Sequence, residues 1–189
     1  YTDTKRLRVF NLCQSYKYQS LGYYVSLIAE ARGHRVIPSV ITLQDFKSQT
    51  LVRTISDDID ELIKKSLSKI KSEDFILSIY FGKNVSNQYD TLCKSIYNLF
   101  QSPFLRVFFY FSNTNKKWVI QSITPIPLNE IPKTHLPSVI SFAEEHFSKK
   151  RFYTAKSNKF VYNMAILVNP DEEMPPPTAR RTCSTNAGN

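Results

Sequence analysis

The chain has 189 residues, 42% of them hydrophobic, with 25 Lys and Arg against 16 Asp and Glu for a formal charge of +9. That is enough apolar material for one core of about 150 residues, and the remainder is too short to fold alone. The longest purely apolar run near a strand, residues 107–111, is far below the roughly 20 residues a membrane span requires, and Tyr1-Thr2-Asp3 carries no apolar signal segment, so a location in the cytoplasm is expected. Three cysteines, Cys13, Cys93 and Cys183, cannot all pair and match no zinc spacing, which agrees with a reducing compartment. The positive charge raises nucleic acid or an acidic protein as partner. Its distribution argues against nucleic acid: Lys64-Lys65, Lys116-Lys117, Lys149-Lys150-Arg151 and Arg180-Arg181 are scattered, with no continuous basic face and no interleaved aromatics.

Residues 7–12 read as a buried strand, followed by a polar loop at 13–20 and a helix in which Leu21, Tyr24, Val25, Ile28 and Ala29 recur at the spacing of one apolar face. Gly33 supplies the left-handed residue that ends that helix, and residues 34–40 form a second strand, giving a βαβ opening. Residues 56–70 read as one helix, with Asp57, Asp58, Asp60 and Glu61 at its start and Lys64, Lys65 and Lys69 toward its end, as the helix dipole favours. Asp60 with Lys64 and Glu61 with Lys65 are stabilising i,i+4 pairs. Residues 75–81 form a third strand, and Gly82 permits a sharp turn. Tyr89, Leu92, Cys93, Ile96, Leu99 and Phe100 then mark a helix that makes Cys93 an inert core thiol. Residues 104–111 and 117–123 are β-rich and separated by a polar turn, so they form an antiparallel hairpin. Pro125, Pro127 and Pro132 punctuate a loop before a last helix through Leu136, Val139, Ile140, Ala143 and Phe147. The expected fold is α/β (α+β): a mixed β-sheet with helices packed on its faces.

The expected site is the loop after the first strand, because open α/β sheets bind ligands at the carboxyl ends of their strands and helix N-termini attract anions. Asn11, Cys13, Tyr16, Ser20, Gly22 and Tyr80 are the candidate ligand-binding residues, with close packing the commoner role for a glycine placed as Gly22 is. Cys13 through Ser20 also resembles the cysteine phosphatase loop, but Gln19 stands where that loop has Arg, which removes the bidentate phosphate clamp; no catalytic residue is assigned. The chain has four glycines and no phosphate-cradling glycine cluster, so no nucleotide site is expected in it. His34 reads as a capping or surface residue, His135 and His146 lack metal spacing, and the neighbouring carboxylates Asp57-Asp58 and Glu144-Glu145 diverge around their helices. Trp118 reads as core.

Residues Asn11-Leu12-Cys13, Ser20-Leu21-Gly22-Tyr23-Tyr24-Val25-Ser26-Leu27 and Ala29-Glu30-Ala31-Arg32-Gly33-His34-Arg35-Val36-Ile37-Pro38 resemble the N-terminal domain of RimK-like ATP-grasp ligases, with weaker agreement through Phe81-Gly82-Lys83-Asn84 and around Pro103, Phe104 and Trp118. The resemblance implies an accessory N-terminal domain over residues 1–150, substrate-presenting or docking and non-catalytic alone. A linker over 151–160 and, over 161–189, the truncated start of the ligase region with a disordered tail would follow. It implies as partner a downstream ATP-grasp domain that supplies the ATP and Mg²⁺ sites, with a peptide or amino acid as substrate of an ATP-dependent carboxylate-amine (glutamate) ligase. The alternative is a basic binding module for nucleic acid or an acidic protein. Residues 161–168 are expected to pair as an orphan strand with a sheet of this domain or of a second copy, giving a homodimer.

Overall fold

The computed structural model describes residues 7–148. Five strands and six helices follow in the order β1 (Arg8–Phe10), α1 (Leu21–Ala31), β2 (Arg35–Ile37), α2 (Val40–Asp45), α3 (Gln49–Asp58), α4 (Asp60–Leu67), β3 (Asp74–Tyr80), α5 (Asp90–Leu99), β4 (Phe104–Ser112), β5 (Lys117–Pro125) and α6 (Leu136–Ser148). The fold class is α+β with parallel and antiparallel pairing. The strands form two sheets where the sequence suggested one. β1 and β2 pair in parallel, with Arg8 opposite Arg35 and Phe10 opposite Ile37, while β3, β4 and β5 make a three-stranded antiparallel sheet.

Residues 34–40 were expected to form one strand, but β2 ends at Ile37. Pro38 has no N–H to give a ladder, and Ser39 turns the chain by accepting from the Thr42 N–H at the start of α2. The helix expected over 56–70 is two, jointed at Ile59, whose φ of −112° and ψ of 17° leave the helical region. The joint places Asp60 and Glu61 in the first turn of α4, where the dipole welcomes them, and frees Asp57 at the end of α3 to pair with Lys117 at 2.9 Å. Asp60 and Lys64 do form their i,i+4 pair, at 3.8 Å.

The main core lies under the three-stranded sheet. Leu77 and Ile79 of β3, Leu105, Val107 and Phe109 of β4, and Ile120 and Ile123 of β5 meet Val52, Ile55, Ile63, Leu67, Leu92, Cys93 and Ile96 from α3, α4 and α5. Alternation holds along β3 and β4 but slips in β5, where the inward residues step from Ile120 to Ile123. A bulge explains the slip: Phe108 faces Ser122 while Phe109 faces Ile120, so Gln121 is the extra residue. Ser56 of α3 accepts the Ile120 N–H at 3.0 Å and so ties the helix to the sheet beside this irregularity. Trp118 is buried against Phe111, as a core role requires.

A smaller core joins the two sheets. Tyr80, Phe81, Phe104, Ile126, Ile131 and Val139 cluster with Phe10 of β1 and Phe142 and Ala143 of α6. Tyr80 is fully buried, and its hydroxyl shares a hydrogen bond of 2.9 Å with His135 Nδ1. No helix among the described residues is long and apolar enough to cross a membrane. The expected linker over 151–160, the orphan strand over 161–168 and the tail lie outside the described residues.

Candidate functional site

The first strand-to-helix loop is held together by its own polar groups. Asn11 is buried and donates through Nδ2 to Gly22 O at 2.7 Å and to Ser26 Oγ at 2.9 Å, while its Oδ1 accepts from the Cys13 N–H at 3.2 Å. Ser26 Oγ in turn donates a hydrogen bond to Pro38 O at 2.8 Å, so a single relay joins the end of β1, α1 and the end of β2. Tyr16 donates to Asn11 O at 2.7 Å, and Ser20 donates to Ser15 O at 2.9 Å as it caps α1. Burial, aided by Cys13, raises the Tyr16 hydroxyl pKa above its usual range, which keeps it a neutral donor. These hydrogen bonds fix the backbone; they are the internal connections that a buried polar set requires.

The network also turns α1 around. Gly22, Ser26 and Ala29 face inward, and Leu21, Tyr24 and Ile28, expected to be buried, are exposed. Small residues are inside because the helix runs close to the loop: a Cβ on Gly22 would lie 2.2 Å from Ser15 O. Gly33 ends α1 as expected, at φ 76°, with its N–H on Glu30 O and the His34 N–H on Ala29 O in a Schellman arrangement.

A cavity of about 670 Å³ opens elsewhere, and none of Asn11, Cys13, Tyr16, Ser20, Gly22 and Tyr80 lines it. Its size falls within the range of small-molecule sites. One wall is the face of the two-stranded sheet that carries Arg8, Arg35 and Ile37; another is the polar side of α5, with Asp90, Thr91, Lys94, Tyr97 and Asn98, continued by Gln101. The turn Phe81-Gly82-Lys83 and the α6 residues Glu145 and His146 close it. This turn is tight: Tyr80 and Lys83 exchange backbone hydrogen bonds of 2.7 and 3.0 Å, which leaves Phe81 at φ 49° and Gly82 at φ 81°. A positive φ is costly for a bulky residue such as Phe81 and is paid for here by packing, since its ring meets Phe10, Phe104, His146 and Phe147. Gly82 sits under Tyr97, whose ring leaves 3.3 Å for any added Cβ.

The charges on the cavity wall are of both signs. Lys83 binds Glu145 across the cleft and lies over the Phe142 ring. Arg35 donates through Nη2 to Gln101 Oε1 at 3.1 Å. Burial and the neighbouring Arg35 charge lower the pKa of Arg8. Burial pushes the Tyr97 hydroxyl up to about 12 although Arg8 and Arg35 both pull it down, so Tyr97 is a neutral hydrogen-bond donor at physiological pH. Among the described residues no group of three or more His, Cys, Asp or Glu side chains is placed to hold a metal ion.

Sequence reading missed this cleft for two reasons. Asp90, Lys94, Asn98 and Gln101 recur at helical spacing, yet a polar stripe opposite an apolar face reads as solvated surface. Arg8 and Arg35 are 27 positions apart, and only the parallel register makes them neighbours.

Cys93 is as inert as its helical position suggested: fully buried on the core side of α5, its thiol is pushed up to about 12 by burial. With Tyr97 this sets an alkaline limit. Both folded pKa values lie above the ordinary 9.0 for Cys93 and 10.0 for Tyr97, so the stabilisation from their neutral forms is complete below about pH 9 and is lost as pH rises toward about 12. Urea midpoints are expected to fall steadily from pH 9 to 11, and Cys93→Ala to flatten the first part of that decline; midpoints that hold or rise would contradict the assignment.

The model of the family described as RimK-like ATPgrasp N-terminal domain matches residues 1–141. No curated protein and no solved structure matches the chain. The match spans the βαβ opening, the antiparallel sheet and most of the cleft wall, and the chain belongs to the RimK-like ATPgrasp N-terminal domain family.

Proposed function

We propose that the domain is the substrate-holding front end of an ATP-dependent carboxylate-amine ligase and is non-catalytic alone. The ATP-grasp domain of such a ligase would supply the ATP and Mg²⁺ sites, where a carboxylate is activated and an amine attacks it. The observation that carries the reading is the cleft of about 670 Å³, whose lining combines donors of α5 and the arginines of the β1–β2 wall with carboxylates of α5 and α6. A wall of both signs suits a small molecule with separated charges, such as an amino acid or short peptide, and fixes its orientation through a few polar groups. The strained Phe81 supports the same reading, because backbone strain concentrates where a side chain must be held in one place.

The test is a titration of the ¹⁵N-labelled chain with free amino acids and dipeptides, followed by amide shifts. Saturable shifts are expected at Gly82, Tyr97 and Asn98, and none with Mg-ATP. Shifts centred on Gln14 and Lys17 would move the ligand to the first loop and overturn the cleft as its site.

A further inference from the structure

We propose that the outward face of α1 is a docking surface for a second copy of this chain, and that the two α1 helices pair about a two-fold axis. This contact is independent of the substrate-holding reading above.

Apart from Ser26 and Glu30, α1 consists of apolar, aromatic and glycine residues, and a helix apolar all round is normally covered on every side. Its small residues Gly22, Ser26 and Ala29 face the domain, whereas Leu21, Tyr24, Leu27, Ile28 and Ala31 share the opposite side and are exposed. None of these five belongs to either hydrophobic core of the described residues. Tyr18 extends the face at its N-terminal end through Tyr23 to Tyr24, in edge-to-face contacts with ring centres 5.1 and 5.7 Å apart. Exposed Ile41 extends it onto α2, next to Val40, whose N–H is bound by Glu30 of α1.

Charge selects the occupant. Copies of a chain at +9 repel one another wherever their basic residues meet, and an acidic partner would seek those same residues. The outward face of α1 offers no charge of either sign, because the one charged residue of the helix, Glu30, turns its Oε1 to the Val40 N–H at 3.0 Å. Lys17 and Arg32 stand beyond the two ends of the helix, at the rim. A two-fold contact here brings no like charges together at its centre and presents the same stripe to itself, as an isologous interface requires. Leu21, Tyr24 and Ile28 are spaced three and four apart, the rows that interdigitate when helices cross. The area is sufficient as well. With exposures between 39% and 75%, Tyr18, Leu21, Tyr24, Leu27, Ile28 and Ile41 present on the order of 700 Å², close to the roughly 800 Å² that each partner contributes to a stable interface. The Asn11 relay already fixes α1, so association has little left to order. No residue of α1 lines the cleft, and the dimer leaves it open.

Sedimentation velocity of the full 189-residue chain tests the contact. At about 100 μM the parent is expected to show twice the 21.9 kDa mass of one chain, and to associate more tightly as salt screens the repulsion between copies. Ile28→Lys sets like charges against each other across the two-fold contact and should weaken dimerisation by about tenfold or more. Leu21→Lys should do the same and supplies the comparison if the first variant does not fold. Both positions are exposed and lysine is a good helix former, so circular dichroism should not change. Ile76→Lys, at an exposed position of the three-stranded sheet, should leave the dimer intact. A parent that stays monomeric at that concentration, or a dimer that survives both α1 substitutions, would show that α1 is not an interface between copies. A dimer broken by Ile76→Lys alone would move the contact to the sheet, and association that weakens as salt is added would assign it to charged groups; either result overturns the docking of α1 on α1.

Discussion

Gly22→Ala is expected to destabilise the domain by about 3 kcal/mol, the upper end of what an inserted methyl costs in a packed interior. The added Cβ would lie 2.2 Å from Ser15 O, 3.0 Å from Cys13 Cβ and 3.1 Å from Tyr16 Cδ1. The nearest of these is backbone and cannot swing away as a side-chain tip does. Neither side of the contact is loose: Ser15 O accepts from Ser20 Oγ, and the Gly22 carbonyl accepts from Asn11 Nδ2 in the relay that continues to Ser26 and Pro38. To make room, α1 must lift from the loop and break part of a buried network whose groups would then lack partners. Urea unfolding of the two proteins measures the loss. A change under about 1 kcal/mol would mean that the loop yields freely, and Gly22 would no longer be explained by close packing.

The same residue shows how much of the fold was legible in the sequence and where reading stopped. Gly22 was recognisable as a glycine that serves packing, and the βαβ opening, the antiparallel hairpin, the turn at Gly82 and the burial of Cys93 all follow from local pattern. Local pattern failed where tertiary contacts outweighed it. The apolar residues Leu21, Tyr24 and Ile28 have the spacing of a buried helix face, yet α1 turns its small side inward because the Asn11 relay and the Ser15 carbonyl require a close approach there. Of the six residues that stand at strand ends and the start of α1, where open α/β sheets bind ligands, Asn11, Tyr16 and Ser20 bond backbone carbonyls of Gly22, Asn11 and Ser15, and Tyr80 is buried against Phe104 and His135. The cleft residues were illegible because nothing local joins Arg8, Arg35 and Tyr97. Pairing of β1 with β2 and the packing of α5 beside them create that neighbourhood.

Asn98→Trp is expected to obstruct the cleft. Asn98 projects from α5 into the cavity and is half-buried, so an indole at this position fills space that the wild-type chain leaves open. The site lies on the polar side of the helix, away from the buried Leu92, Cys93 and Ile96, and an aromatic residue costs a helix only a few tenths of a kcal/mol in propensity. The domain should therefore fold while its cleft is blocked, which circular dichroism and urea unfolding can establish. If the cleft holds the substrate, the interactions lost are those between domain and substrate, and those between ligase and nucleotide are untouched. The most direct measurement is steady-state kinetics of the complete ligase with and without Asn98→Trp. The account predicts that kcat/KM for the carboxylate or amine substrate falls about a hundredfold, about 2.7 kcal/mol of lost transition-state stabilisation, while KM for ATP stays as it was. A correctly folded Asn98→Trp ligase with unchanged kcat/KM for both substrates would contradict it.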